Sequence, residues 1–315
     1  MSTIVYAGRL KNREILKHSS SGGLFTALSN EFLRNGNAVL CSGYNYITQQ
    51  SEFRLVTTYE ERDRCRGSIY VQSYALNSWA EATKWLNDNL NKHLLFFGVG
   101  CQGAAFLKYA EMKKLRDRVT VVDIVCHGSP SPLIWKEYIN LLEKNGKLSS
   151  INLRDKRKGW NKSIGVAIQG SKEISMMPYR RMYSSRTALR PCCSKCPYTS
   201  IERETDITIG DFWHLENSMP DFFDEMGTSL ILIHTEKGQL LFERVKEQLE
   251  YRQSNTKDCW QYNLERPTEH SKQRDKFWVE YRKNGIGFVV KKYGELSLFQ
   301  RIKRKVHHIL NYKQI

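Results

Sequence analysis

The sequence predicts an α/β fold with a mixed sheet core, flanking helices, an antiparallel insertion and a C-terminal helical region. Residues 94–97 form a fully apolar run, as expected of a strand buried on both faces of a sheet, and residues 119–125 predict a second buried strand. Alternating apolar and polar residues near 164–168 and 174–177 are typical of antiparallel strands. We divide the chain into an N-terminal α/β part (1–145), a second part (146–270) and a basic amphipathic helical tail (271–315).

The composition is that of a globular protein with an anionic partner. The chain has 315 residues, 40% of them hydrophobic, and a formal charge of 49 − 33 = +16. No apolar run approaches the roughly 20 residues that span a bilayer, and the first residues lack the layout of a secretion signal. We therefore expect a cytoplasmic protein, in which the eight cysteines bind metal or do redox chemistry rather than form disulfides.

Residues 6–17 predict a strand and a short polar helix. Ser20, Ser21, Gly22 and Gly23 then precede apolar residues at helical spacing, which indicates a capped helix start before a strand over 38–41. Small residues at a helix N-terminus leave backbone N–H groups free to hold a phosphate or carboxylate. A plain N-cap with a tight turn is the alternative interpretation.

Two predicted strands end at a cysteine. Residues 67–73 predict a turn and a short strand, and a helix with Trp79 on its apolar face follows. The strand over 94–97 leads through a glycine-rich turn to a helix over 104–112, and the strand over 119–125 stops at Cys126. Because the carboxyl ends of parallel strands share one edge of a sheet, Cys101 and Cys126 are expected to lie close together. We expect His127 beside them to make a loop hydrogen bond.

A cysteine-rich loop follows the antiparallel insertion. Cys193 and Cys196 form a C-x-x-C between two prolines, which favours a loop, and this spacing lets two thiolates bind one metal or cluster. With Cys101 and Cys126 they could form a four-thiolate site. The strand that follows the loop ends at Asp211, which with Phe212 and Trp213 could close the wall of that site.

The remaining segments carry open alternatives. Residues 179–190 are basic and aromatic, which fits a solvated helix face or an anion-binding wall. A strand over 229–234 and a helix over 237–249 come next. The basic amphipathic pattern after residue 272 predicts a helix that docks onto its own domain, with contact to a membrane surface or a partner as the second interpretation. The basic residues form no recognisable nucleic-acid motif, so we expect no specific nucleic acid partner.

Several segments, read in order, resemble the coenzyme F420 hydrogenase/dehydrogenase beta-subunit family. They are residues 20–25, 67–73, 100–102, 126–132, 154–160 and 190–213. The resemblance implies a flavin-bearing oxidoreductase with a 4Fe-4S cluster. It also implies that electrons pass between a deazaflavin, ferredoxin or another electron-carrier protein and a substrate that the sequence does not identify.

The resemblance also implies site residues. The cluster ligands would be Cys101, Cys126, Cys193 and Cys196. The site for FAD, another flavin or a deazaflavin would be lined by Ser20, Ser21, Gly22, Gly23, Gly67, Ser68, Gln72 and Gln102. The 1–145 part would then carry the flavin-site turns and the 146–270 part the cluster. This chain has Ile69 where the family usually has a lysine, and no catalytic residue is assigned.

Three functional hypotheses follow. The first is an iron–sulfur flavoenzyme; because relatives of this length are associated with surface-polysaccharide genes, its substrate is expected to be linked to a sugar. The second is a structural zinc protein, in which Cys193, Cys196 and two other cysteines bind one zinc ion. The third is a degenerate scaffold of a glycan-assembly complex, and the Ile69 departure motivates it.

Overall fold

A computed structural model describes residues 2–75 and 77–296 of the chain. Within those residues twelve strands form two sheets. The strands are β1 (Ile4–Leu10), β2 (Ala38–Asn45), β3 (Gln50–Val56), β4 (Ser73–Tyr74), β5 (Leu94–Val99), β6 (Val119–Ile124), β7 (Leu148–Asp155), β8 (Ile164–Gln169), β9 (Lys172–Ser175), β10 (Ile207–Asp211), β11 (Ser229–Ile233) and β12 (Leu249–Ser254).

Helices connect most of these strands. Those of the described residues are α1 (Arg13–Lys17), α2 (Leu24–Arg34), α3 (Tyr59–Asp63), α4 (Ser78–Asp88), α5 (Gly100–Met112), α6 (Pro132–Leu142), α7 (Met177–Ser184), α8 (Leu215–Ser218), α9 (Glu236–Val245) and α10 (Arg274–Val289). None of them is long and apolar enough to cross a membrane.

The large sheet has nine strands in the order β12-β1-β11-β10-β6-β5-β2-β3-β4. β10, β6, β5 and β2 are parallel, whereas β11 is antiparallel to both β1 and β10. β1 therefore runs in the same direction as β5 and β6. We call the edge at which β1, β5, β6 and β10 end the carboxyl edge.

The apolar runs of the central strands bury alternate residues on opposite faces. In β5, Leu95 and Phe97 pack in the core that contains α2 and α9, whereas Leu94 and Phe96 pack with α4 and α5. A strand with helices on both faces has no polar side, which explains its fully apolar sequence. The predicted mixed α/β core is confirmed.

The second sheet is the predicted antiparallel insertion, in the order β7-β8-β9. It packs in its own core with α6, α7 and α10, which contribute Trp135, Tyr179 and Phe277. α10 thus docks onto its own chain at its N-terminal half. It is interrupted at Gly285, whose φ is +75°, and the predicted amphipathic pattern from residue 297 onward lies outside the described residues.

Several predicted boundaries differ from the structure. The helix expected over 104–112 begins at Gly100, because Gly103 lets the helix approach β6; a Cβ there would lie 3.1 Å from that of Asp123. The helix expected to reach residue 249 ends at Val245, and Leu249 instead begins β12 opposite Leu10. α3, α6, β3 and β12 were not predicted from the sequence. The three-part division of the chain stays a prediction.

Candidate functional site

The carboxyl edge collects both predicted groups of site residues. Cys101 lies in the first turn of α5, and Cys126 follows the end of β6. The Ser20–Gly23 turn follows β1 and the short α1, and the Gly67 turn precedes β4, whose Ser73 carbonyl accepts from Gln102 of α5. Topology alone therefore brings together segments that are far apart in the chain.

Backbone hydrogen bonds join the loop after β6 to the cysteine-rich loop. Ser131 N donates to Ala188 O at 2.8 Å, and Arg190 N donates to Ser129 O at 2.9 Å. Ser129 N donates to Cys193 Sγ at 3.3 Å. Gly128 has φ of +119°, and a Cβ there would lie 3.3 Å from that of Cys193. Cys193 is thus held beside the loop that contains Cys126, both by hydrogen bonds between the two loops and by the close approach of Gly128.

The second half of the cysteine-rich loop lies over the start of α5. A Cβ on Gly100 would come within 3.1 Å of Tyr198 Cβ, two residues after Cys196. Arg203 closes the segment through a buried ion pair with Asp123 of β6, at 2.7 Å. The loop is therefore held at both ends by residues that flank the two strand-end cysteines.

The four predicted thiols lie within electrostatic reach of one another. Burial raises the pKa of the Cys126 thiol to about 12, and the thiols of Cys101, Cys193 and Cys196 act in the same direction. Burial also raises the pKa of Cys101, with Cys196 and Cys192 as thiol neighbours. Among the described residues, no group of three or more His, Cys, Asp or Glu side chains is arranged to hold a metal ion. The ligand assignment therefore stays a prediction.

The two predicted flavin turns meet through their serines. Ser68 Oγ donates to Ser20 Oγ at 2.8 Å. Gln102 connects the same region to α5, because its amide donates to Ser73 O at 3.2 Å and its oxygen accepts from Val99 N. Gly67 has open space where a Cβ would point. Gln72 immediately precedes β4.

The expected serine cap of α2 is absent, which corrects the predicted capped start. Gly23, in the left-handed conformation, is the capping residue, and no side chain accepts from the helix N–H groups. Ser19 Oγ instead donates to Ile15 O, and Ser21 Oγ donates to Thr228 O. The tight approach of Gly22 to β1 and β11 explains why the turn leaves no room for a serine cap; a Cβ there would lie 2.3 Å from Gly8 O.

Asp211 ends β10 in a buried network and not as a free carboxylate. Arg154 Nη1 lies 2.5 Å from Asp211 Oδ2, and Trp160 Nε1 donates to Asp211 Oδ1 at 2.9 Å. The Trp160 and Trp213 rings pack against each other, with centroids 4.6 Å apart and planes tilted by 36°. Phe212 is buried in the core with Leu215 and Leu230, and its place in the site wall stays a prediction.

Lys156 belongs to one of the sequence motifs, and in the folded chain it joins three segments of the edge. Its amine donates to the carbonyls of Leu16, Ser21 and Met226, at 2.8, 3.1 and 2.5 Å. Burial lowers its pKa to about 8. One bond goes to Ser21 of the turn at residues 20–23, which we call the serine–glycine turn, so Lys156 is a positioning residue for that turn.

Two tyrosines connect the thiols with the flavin turns. The rings of Tyr70 and Tyr183 stack with centroids 4.7 Å apart, and His127 contacts Tyr183 edge-on at 5.5 Å. Burial raises the pKa of Tyr183, and the Cys126 thiol adds to this effect. Tyr70 and Tyr183 lie in two segments that the sequence singled out, but no sequence pattern indicated that their rings stack, because this contact exists only in the folded chain.

The arginines of α7 are bonded to backbone carbonyls. Arg180 Nη1 donates to Ser163 O at 2.6 Å, and Arg181 Nη1 donates to Gly294 O at 2.8 Å. Tyr179 and Met182 are buried on the same helix. α7 is therefore neither a fully solvated face nor an open wall of anion-binding arginines.

The chain matches two family models, which describe the N-terminal and C-terminal parts of the same protein family. The model for the C terminus of the coenzyme F420 hydrogenase/dehydrogenase beta subunit matches residues 91–258, more than half of the chain. The model for the N-terminal part of the same beta subunit matches residues 5–79. A search of curated proteins finds no match.

A solved structure shares the fold. It is a chain of the F420-reducing nickel–iron hydrogenase complex from Methanosarcina barkeri, studied by xenon derivatization. The identity is 17% and the TM-score 0.53, and the match covers 93% of this chain and 90% of that chain. At this identity the likeness is one of architecture, and it extends over nearly the whole of both chains.

Proposed function

This chain belongs to the coenzyme F420 hydrogenase/dehydrogenase beta-subunit family, a family of oxidoreductase subunits, and we propose that it holds a 4Fe-4S cluster and a flavin at its carboxyl edge. It would pass electrons between a carrier, such as a deazaflavin or ferredoxin, and a substrate linked to surface-polysaccharide synthesis. One observation supports the proposal: the turns at residues 20–23 and 67–68 and the segments that carry the four cysteines lie at the same edge of the sheet.

The donor set fits an iron–sulfur cluster. Cys101, Cys126, Cys193 and Cys196 would hold it, and thiolates are the usual ligands of such clusters. Two of their sulfurs already accept backbone N–H bonds, from Gly128 to Cys126 at 3.2 Å and from Ser129 to Cys193 at 3.3 Å. Such bonds tune the reduction potential of a cluster, which would supply one-electron chemistry here.

The turns fit a flavin that carries phosphate. At the start of α2 the capping residue is Gly23, so no side chain competes for the N–H groups there. An anion is stabilised at such a helix end. Ser20, Ser21, Gly22, Gly67, Ser68, Gln72 and Gln102 would line the site, and Lys156 would hold the serine–glycine turn in position. A flavin exchanges both one and two electrons, so it suits a site beside a cluster.

The test is cofactor content after purification without oxygen. Iron, sulfide and flavin are measured with a visible spectrum for the natural chain, Cys196→Ser and Cys192→Ser. We expect about four irons per chain, lost in Cys196→Ser. Because Cys192 is the exposed neighbour of Cys193 and not an assigned ligand, Cys192→Ser is the matched control and is expected to keep its iron.

Other results would contradict the proposal in distinct ways. Tightly bound zinc without iron after anaerobic expression would indicate the structural zinc protein. A chain that incorporates neither iron nor flavin under reconstitution would indicate the scaffold. Loss of iron in Cys192→Ser with retention in Cys196→Ser would transfer the ligand role to Cys192.

A further inference from the structure

A groove of about 600 Å³ lies beside the cysteine-rich loop. One wall is the segment Leu189, Arg190 and Pro191, next to the start of α6, and the other is α10. Its charged and aromatic lining includes Arg190, Arg274, Trp278 and Arg282, and we call it the arginine groove.

α10 presents one face to this groove. Arg274, Trp278 and Arg282 are spaced by four residues and so lie along one side of the helix. On the other side, Phe277 is fully buried in the core. Arg274 Nη2 donates to Leu189 O at 3.3 Å, which joins the two walls.

The groove is basic and open to solvent. It contains three arginines against one carboxylate, that of Asp275. Arg282 is exposed, and Val279 is 55% exposed along the same wall. Small-molecule sites usually bury most of their ligand, so an open wall of this kind fits a protein surface better. Arg and Trp are also the residues that contribute most to binding energy at protein interfaces.

The groove continues directly into the predicted cluster site. Pro191 is both a lining residue and the first residue of the helical turn Pro191–Lys195, which contains Cys192 and Cys193. Ser194 Oγ and His270 Nε2 are 2.8 Å apart, so the turn is tied to the segment that precedes α10. A protein seated in the groove would therefore lie against the cysteine-rich loop.

We propose that the arginine groove docks an acidic electron-carrier protein, which exchanges electrons with the centre held by the neighbouring cysteines. This rests on the proposed function. In each encounter the reduced carrier would lose one electron and the cysteine-held centre would gain it. Complementary charge speeds such encounters, and interfaces between electron-transfer partners are small.

The experiment uses an acidic plant-type ferredoxin as the probe. The reconstituted full-length protein is mixed with chemically reduced ferredoxin, and reduction of bound flavin is followed by stopped flow. Arg282→Glu is expected to slow the second-order rate about tenfold at low salt, because it puts a negative charge at the docking surface. Arg282→Gln should have a smaller effect. At roughly 0.5 M salt the variants should converge, because exposed charges are screened.

Lys257→Glu is the matched control. It reverses another exposed charge just after β12, at the opposite end of the sheet, since Ser254 pairs with Val5 at the start of β1. It is expected to behave like the natural chain. Equal rates for Arg282→Glu and Lys257→Glu at low salt would overturn the docking proposal.

Two further measurements separate the proposals. Reduction by dithionite needs no docking and tests only whether the bound cofactors are active. If dithionite reduces the protein but the rate with ferredoxin does not depend on Arg282, the docking proposal alone is refuted. If no cofactor is incorporated, the proposed function fails, and calorimetric binding of oxidised ferredoxin still tests the groove. Binding of inorganic phosphate at the groove without binding of ferredoxin would also overturn docking.

Discussion

Asp211, at the end of β10, is one partner of a buried ion pair. Its ion pair with Arg154 is nearly buried, with the two side chains 12% and 9% exposed. Asp211→Asn keeps a hydrogen-bond acceptor for Trp160 but leaves the guanidinium of Arg154 without its counter-charge. We expect the free energy of unfolding to fall by about 3 kcal/mol, measured by urea denaturation.

Asp221→Asn provides the comparison. Asp221 pairs with Arg252 on the surface at 2.8 Å, with the two side chains 68% and 44% exposed. Solvent screens such a pair, so this variant should unfold at the same urea concentration as the natural chain. Equal destabilisation by both substitutions would mean that burial does not decide the strength of the Arg154–Asp211 pair.

His234 predicts an acid-sensitive fold. It lies between Thr3 and Thr208, whose hydroxyls are 3.1 and 2.8 Å from its two ring nitrogens. Burial lowers its pKa to about 4, against about 6.5 in the unfolded chain. The unfolded chain therefore binds the proton more tightly, and stability is lost as pH falls from 6.5 towards 4. Between pH 7.5 and 5 this group should cost about 2 kcal/mol.

The measurement compares urea unfolding at those two pH values for the natural chain and His234→Gln. Because glutamine does not titrate, His234→Gln should lose about 2 kcal/mol less stability than the natural chain on acidification. The carboxylates that titrate in the same range are common to both proteins and cancel in the comparison. Identical losses in the two proteins would assign the acid sensitivity to other groups.

At the scale of elements, the serine–glycine turn is wedged between two strands. A Cβ on Gly22 would lie 2.3 Å from Gly8 O of β1 and 2.6 Å from Ser229 N of β11. Both contacts are with backbone, which cannot rotate away. Gly22→Ala should therefore destabilise the protein by about 3 kcal/mol and lower the amount of flavin retained after purification. Thermal unfolding and flavin absorbance measure the two effects.

Gly287→Ala is the matched control within α10. A Cβ there meets nothing within 4 Å, and alanine favours the helix more than glycine does. This variant should be as stable as the natural chain, or more stable by up to about 1 kcal/mol. A Gly22→Ala protein as stable as Gly287→Ala would mean that the turn relaxes without strain.

The elements that were not predicted differ in how strongly the sequence indicated them. α6 had a signal, because Pro132 stands at its first turn and Ile134, Trp135, Tyr138 and Ile139 share one face. β12 had none, because only Leu249 in it is buried and most of its residues are polar, so its strand state depends on pairing with β1. The start of α5 was misplaced because glycines that serve close packing were interpreted as a turn.

At the scale of the whole molecule, the N-terminal strand completes the C-terminal half of the sheet. β1 lies between β11 and β12, and β6 pairs with β10. We therefore expect residues 146–315, expressed alone, to lack a cooperative unfolding transition in circular dichroism, because β10, β11 and β12 each lose a neighbour. The cut falls in the exposed turn before β7, so it breaks no strand.

Co-expression with residues 1–145 is the control for this cut. If the two fragments associate, the missing strand neighbours are restored and a cooperative transition should return. A cooperative transition in the isolated 146–315 fragment would instead mean that the second part of the chain is an independent domain.

The sequence by itself determined the fold class and the family. The fully apolar run at 94–97 and the mostly apolar run at 119–125 predict strands in a sheet covered on both faces, and cysteines that follow two parallel strands lie at one edge of that sheet. The order of motifs identified the family, since motif residues are read along the chain. The same reasoning located the serine–glycine turns, because glycines in tight turns have a local cause.

Only the tertiary structure decided which side chains surround these motifs. Asp211 pairs with Arg154, Tyr70 stacks on Tyr183, and Lys156 joins three segments, and each contact connects residues distant in sequence. Hydrogen bonds and ion pairs act over a few ångströms, whereas sequence patterns report only local periodicity. The arginine groove likewise exists only because α10 packs beside the cysteine-rich loop, which no local pattern of residues determines.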